Sequence, residues 1–140
     1  MIKTVTVKSP RKMLGLGKKL AKTLSGGDVV LLTGELGAGK TVLCKGIAAG
    51  LGVKSQVVSP TFTIMNEYPD GRIKFCHFDA YRLESADEAL AAGLGDFIGD
   101  ECCVCAVEWW QNIEELFEGV HTVKIDIVKN ESKREVTIER

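Results

Sequence analysis

No apolar run in the sequence approaches the ~18 residues that a membrane-spanning helix requires, so nothing here is expected to cross a membrane. The opening residues, MIKTVTVKSPRK, lack the apolar core of a secretory signal, and a cytoplasmic protein is expected. The five cysteines are odd in number and are not spaced as a disulfide framework. A chain of 140 residues buries a core without covalent staples, so reduced and mostly buried thiols are expected. A basic excess is missing too, because the formal net charge is −1. Domains that grip nucleic acid on their own show such an excess, so any RNA contact is expected to be shared with a partner. Internal repeats, low-complexity tracts and long linkers are also lacking. Residues 1–140 are therefore expected to form a single domain.

What remains is an ordinary globular composition, 45% hydrophobic and 26% charged. Charge is unevenly placed. Residues 1–60 carry ten Lys/Arg against two acids, and residues 61–140 carry eight against seventeen. The alternating IKTVTV (2–7) predicts a strand, and Ser9-Pro10 then predicts a helix start, with Met13, Leu16, Leu20 and Leu24 on one face. The continuous apolar run VVLLT (29–33) suits a strand buried on both faces of a parallel sheet. A helix is predicted over 40–51, then strands over 62–68 and 73–79 joined by Pro69-Asp70-Gly71-Arg72. Ser85-Ala86-Asp87-Glu88 reads as a capping box for a short helix. A strand is expected over 102–107, a short helical segment over 112–117, and a terminal hairpin from 121–128 and 133–139. An early strand–turn–helix unit with later antiparallel signals predicts an α/β fold: a mixed parallel and antiparallel sheet with helices on both faces.

The strongest motif is GELGAGKT (34–41), a full match to G-x-x-x-x-G-K-[ST] placed after an apolar strand and before a helix. Gly34, Gly37 and Gly39 let the backbone curl so that successive N–H groups face one anion. The helix N-terminus adds its partial positive charge. Lys40 supplies a cation for the β- and γ-phosphates, and Thr41 a hydroxyl for Mg²⁺.

An octahedral magnesium ion also takes one or two carboxylates, directly or through water. Such groups sit at the carboxyl ends of strands beside the phosphate loop. FCHFD closes on Asp79, and CCVCAVE closes on Glu108. The three crowded cysteines, Cys102, Cys103 and Cys105, therefore read as part of the strand that delivers Glu108. Their spacing does not suit a structural zinc site, and strand alternation turns Cys103 and Cys105 to one side and Cys102 to the other. Cys44 and Cys76 read as small buried hydrophobes. His77 precedes Asp79 by two residues on the same strand face, as either a substrate contact or a hydrogen-bonded structural histidine.

Four stretches, GELGAGKT (34–41), SPTFTI (59–64), HFDAYRL (77–83) and VEW (107–109), closely resemble in order and spacing the bacterial TsaE (YjeE) family of P-loop ATPases. The resemblance covers nearly the whole chain. It implies a P-loop NTPase-like three-layer fold and a role in making threonylcarbamoyladenosine in tRNA beside the anticodon. It implies ATP and Mg²⁺ as cofactors, TsaD and TsaB as protein partners, and tRNA reached through their complex. Carried over to this chain, Gly37, Ala38, Gly39, Lys40, Thr41 and Val42 wrap the phosphates, and Thr41 and Glu108 bind Mg²⁺. Asp79 lies close by and orients or activates the attacking water. Ser59, Thr61 and Thr63 fall in a mobile segment placed like a GTPase switch. Trp109 shapes the nucleotide pocket or a partner surface, Arg134 is a basic position near the nucleotide, and the stretch from Val7 to Ser9 lies near the adenine. Trp110 departs from the family, which commonly has a smaller residue there; it either widens a docking surface or covers the core.

Two other function classes fit a phosphate loop. A small metabolite kinase needs an acceptor pocket and an arginine-bearing lid to exclude water. The chain has only Arg11, Arg72, Arg82, Arg134 and Arg140, with no arginine-rich insert. A nucleotide-binding regulator that never hydrolyses would use the same carboxylates for magnesium alone. A GTPase would need a guanine-reading N-K-x-D, which is absent.

Overall fold

The computed structural model describes residues 1–140. Seven strands form one sheet: β1 (Ile2–Val7), β2 (Val29–Gly34), β3 (Met65–Tyr68), β4 (Lys74–Asp79), β5 (Cys103–Glu108), β6 (Thr122–Asn130) and β7 (Lys133–Glu139). Their order across the sheet is β1-β7-β6-β2-β5-β4-β3. The four central strands, β6, β2, β5 and β4, run parallel, while β1, β7 and β3 pair antiparallel at the two sides. The mixed α/β architecture expected from the sequence is the one observed.

Alternation along the central strands sorts side chains into two cores. Val30, Leu32, Val104 and Ala106 point to the face covered by α1 (Pro10–Ala21) and α2 (Lys40–Gly50). Val29, Leu31, Cys105 and Val107 point to the other face, beneath α3 (Ala86–Ala91) and the 3₁₀ segment Trp110–Phe117. A strand buried on both faces reads as a continuous apolar run, as residues 29–32 and 103–107 do. No helix is long and apolar enough to cross a membrane.

Helix α1 begins as its sequence directs: the Ser9 hydroxyl accepts the Lys12 amide at 3.1 Å, and Pro10 occupies the first turn, where its missing N–H costs nothing. The helix stops at Ala21, yet Leu24 remains buried in the turn beyond it. Gly17 on α1 and Gly46 on α2 let the two backbones touch, since a Cβ on Gly46 would meet the Leu14 carbonyl at 2.3 Å. At α3 the capping box closes differently from its ideal form. Ser85 accepts from Glu88, but the Glu88 carboxylate takes the amide of Glu84 rather than that of Ser85.

Three expectations are corrected. β3 starts at Met65, not at residue 62, because the Pro60 carbonyl accepts the amides of both Thr63 and Ile64 and bends the chain into a turn. Ile64 then takes φ +67°, an uncommon conformation for a β-branched residue, and its carbonyl accepts the Asp79 amide at 2.8 Å. β5 starts at Cys103; Cys102 lies outside it, exposed, with its amide bonded to the Asp100 carboxylate. The segment after Glu108 is 3₁₀ and begins at Trp110, two residues earlier than expected.

Candidate functional site

The register of the parallel strands builds the site. Asp79 at the end of β4 lies beside Glu108 at the end of β5, and Glu108 lies beside Leu32, two residues before the end of β2. The loop that leaves β2 is GELGAGK. Within it Gly37 (φ +81°) and Gly39 (φ +114°) hold left-handed conformations that other residues rarely adopt. α2 starts at Lys40 with no side-chain cap and no acidic residue in its first turn. The first amides of a helix have no intrahelical acceptor, so an uncapped N-terminus is open to an anion.

Lys40 folds back over this loop. Its ammonium is 2.6 Å from the Gly34 carbonyl and 3.4 Å from Glu108 Oε1. The other carboxylate oxygen of Glu108, Oε2, is 2.8 Å from His77 Nε2. His77 is fully buried, and its Nε2 also lies 3.6 Å from Cys44 Sγ on α2. Burial pushes the Glu108 carboxyl up, but His77 and Lys40 outweigh it and hold the group below the usual carboxylate range. Burial alone would lower the pKa of His77, yet its contacts with Cys44 and Glu108 raise it above the ordinary histidine value.

Lys40, Thr41, Asp79 and Glu108 line one open bay of about 620 Å³, together with Ser59 and Thr61. Asp79 is buried there, and its Oδ1 accepts the Tyr81 amide at 3.0 Å. Gly37, Gly39 and Val42 also face this bay. On the far side of the loop a smaller cavity of about 190 Å³ is lined by Val7, Ser9, Ala38, Val42 and Arg134 among others. The Ser9 hydroxyl accepts the helix-capping bond there and keeps its own O–H to donate. Arg134 is turned onto the loop itself: Nε donates to the Ala38 carbonyl at 3.1 Å and Nη2 to the Gly37 carbonyl at 3.4 Å. It therefore braces the cradle from outside.

Thr63 is not brought into the bay. Its hydroxyl donates to Asn66 Oδ1 at 2.9 Å, whereas Ser59 and Thr61 hydrogen-bond each other at 2.7 Å and face the bay. The turn at Ile64 separates them. Trp109, at φ +56°, swings out beside Tyr81, with ring centroids 5.0 Å apart, and both stay exposed at the bay's rim. Leu36 and Phe62 are exposed as well, with Arg82 over the Phe62 ring. Trp110 instead packs on the second core and donates Nε1–H to Thr33 Oγ1 at 3.1 Å, so it covers the core.

Sequence reasoning missed Tyr81, although its place two residues after Asp79 is the spacing of a carboxylate-capped turn. Leu36 was missed as well; nothing in a glycine-rich loop marks which residue is left facing solvent. Cys103 and Cys105 lie on one face of β5, buried with Cys76, as strand alternation requires; Cys102 precedes the strand and is exposed for that reason. Burial and the neighbouring Cys76 push the Cys103 thiol up to about 12.

The residues present suit a nucleotide polyphosphate with a divalent cation. Backbone donors, a free helix N-terminus, Lys40 and the Thr41 hydroxyl face one side of the bay, and the carboxylates of Asp79 and Glu108 face the other.

Comparison with known proteins gives a consistent set of relatives. A family model described as "Threonylcarbamoyl adenosine biosynthesis protein TsaE" matches residues 7–136. A Bacillus subtilis protein named tRNA threonylcarbamoyladenosine biosynthesis protein TsaE is 45% identical over 107 residues, spanning 76% of this chain and 66% of the relative. Proteins of the same name from Streptomyces coelicolor and Aquifex aeolicus are 43% identical over 89% of this chain and 37% identical over 100% of it. These matches cover 85% and 98% of those two relatives, but the chain spans 60% of a Nostoc relative. Among solved structures, "Crystal structure of Bacillus subtilus YdiB" aligns with a TM-score of 0.71 and 35% identity over 99% of this chain and 86% of that one.

Proposed function

The chain belongs to the TsaE family, and from that premise we propose that it is a magnesium-dependent ATPase that serves threonylcarbamoyladenosine modification of tRNA by acting on a TsaD–TsaB complex. One observation carries the reading: the uncapped N-terminus of α2, with Lys40 and Thr41, faces two strand-end carboxylates, Asp79 and Glu108, across a single bay. The tRNA modification itself is the role named for the relatives.

In this reading the amides of residues 37–42 take the phosphate oxygens, and Lys40 exchanges Glu108 for the β- and γ-phosphates. Thr41 and Glu108 would hold Mg²⁺, which would spread the charge that builds on the phosphoryl oxygens. Asp79, buried beside Glu108, accepts a hydrogen bond from the water that attacks and sets its direction. The cavity at Val7, Ser9 and Arg134 takes the base side of the nucleotide. Ser59 and Thr61 sit where a switch segment meets the γ-phosphate, and the turn at Ile64 ties that segment to the end of β4 through Asp79. Leu36, Tyr81 and Trp109 line the bay and are exposed, with exposed Phe62 next to the bay-lining Thr61; this apolar surface suits a protein partner that covers the nucleotide.

The test is direct. Purified protein should release phosphate from ATP slowly and only with Mg²⁺, and should retain TsaD and TsaB in a pull-down whose yield differs between ATP, ADP and no nucleotide. Faster phosphorylation of a small acceptor than release of free phosphate would favour a kinase and defeat the proposal.

A further inference from the structure

Carboxylates that serve a metal ion are themselves held by hydrogen bonds. Glu108 has two holds of different kinds. One is Lys40, 3.4 Å from Oε1, which belongs to the phosphate cradle and is drawn away by any anion that binds there. The other is His77 Nε2, 2.8 Å from Oε2, on a ring with no solvent exposure. Because β4 and β5 are parallel with Asp79 beside Glu108, His77 lies two residues inside the strand end, beneath the carboxylate.

The placement of the Nε2 proton follows from chemistry. An ionised carboxylate only accepts, so Nε2 must carry the proton. Nδ1 is then buried with no hydrogen-bond partner. An unpaired buried polar atom is a cost that an apolar ring in the same place, against Phe75, would avoid. What the imidazole supplies in return is the bond made by its other nitrogen. Cys44, one helical turn after Lys40 on α2, backs the ring with its sulfur 3.6 Å from Nε2 and so sets the ring between α2 and β5.

We infer that His77 is the positioning residue of Glu108: its Nε2–H holds Oε2 so that Oε1 keeps facing the bay after Lys40 has turned to a phosphate. The inference rests on the magnesium-nucleotide reading above.

Two substitutions separate positioning from packing. His77→Phe keeps a ring and loses the donor; His77→Gln loses the ring and keeps an amide N–H near the position of Nε2. The readout is Mn²⁺ affinity of the ADP complex by electron paramagnetic resonance, beside ADP affinity in EDTA and the urea midpoint. His77→Phe should weaken Mn²⁺ binding roughly 10- to 100-fold, the range for loss of a partner that orients a metal ligand, with ADP affinity in EDTA within about twofold of wild type. His77→Gln should restore most of the Mn²⁺ affinity. The reverse order, with Phe retaining Mn²⁺ and Gln losing it, would show that the ring only packs and would overturn the inference. Failure of the wild-type ADP complex to bind Mn²⁺ would remove the magnesium reading and this inference together, so the wild type is measured first. The wild type also tests the point without any variant. In ¹⁵N-histidine-labelled protein, His77 should show a protonated Nε2 both without and with Mg²⁺·ADP, and a proton confined to Nδ1 in either state would overturn the assignment.

Discussion

The ammonium of Lys40 lies 3.4 Å from the Glu108 carboxylate and 2.6 Å from the Gly34 carbonyl, so the cradle's cation rests on the carboxylate across the bay. The two side chains come from the start of α2 and the end of β5, 68 positions apart in sequence. Their contact neutralises both charges in a partly buried place, where an unpaired charge would be costly. Under the proposed reading, an arriving phosphate would displace Glu108 from Lys40 and release Oε1 towards the bay. Cradle and carboxylate are thus coupled before any ligand binds.

Lys40→Ala should weaken ADP binding roughly 10- to 150-fold, which corresponds to the loss of about 1.5–3 kcal/mol for a hydrogen bond to a charged group. Because the variant leaves Glu108 tied to His77 alone, the fold should be retained. Isothermal titration with ADP, with circular dichroism as the folding control, measures both. Unchanged affinity would mean that the loop does not hold the phosphates.

Glu108→Gln should separate hydrolysis from binding. The amide keeps the shape and can still meet His77, but it loses the charge that would hold a divalent cation. Phosphate release should fall about 100-fold or more, since a metal ion contributes several kcal/mol to stabilising transition-state charge. Nucleotide affinity in EDTA should change little or rise slightly, because a negative charge leaves the bay. Full activity would shift the magnesium carboxylate to Asp79.

Much of this arrangement was legible in the sequence because it is local. GELGAGKT fixes its own turn geometry, VVLL and CVCAV carry the double burial of central strands, and FCHFD and CCVCAVE each end on their carboxylate. What was not legible depends on pairing between distant segments. The bond between His77 and Glu108 exists only because β4 and β5 align in one parallel register. Arg134 reaches the loop carbonyls because β7 is carried back beside β1, near the start of α1. The turn at Thr61–Ile64 was hidden by residues of high strand propensity. Pro60 wins there, because its carbonyl collects two amides and ends the pairing that Phe62 and Thr63 would otherwise join.

The contact between α1 and α2 gives a paired stability prediction. A methyl group at Gly46 would meet the Leu14 carbonyl at 2.3 Å and the Gly17 Cα at 3.0 Å, both backbone atoms that yield only if a helix moves. Gly46→Ala should therefore cost about 1–3 kcal/mol despite the better helix propensity of alanine. Gly15→Ala, on α1 with nothing within 4 Å of the added methyl, should instead gain about 0.5–1 kcal/mol. Urea unfolding should give midpoints on opposite sides of the wild type with similar slopes.

Asp70 supplies a prediction whose sign depends on pH. It sits in the turn between β3 and β4, where Oδ2 accepts the amides of Lys54 at 2.8 Å and Ser55 at 3.0 Å. These backbone bonds, that from Lys54 first, hold its carboxyl below the usual range. Between the folded pKa and the ordinary value near ~4, the unfolded chain binds more protons than the folded one, so stability rises with pH there. The stabilisation is complete above the ordinary value and is lost as pH falls through the folded pKa. Asp70→Asn should accordingly lower the urea midpoint at about pH 7, where the charged acceptor is present. The gap to wild type should narrow at a pH below the folded pKa, where the wild-type carboxyl is itself protonated. A gap of equal size at both pH values would show that the turn depends on the shape of the side chain and not on its charge.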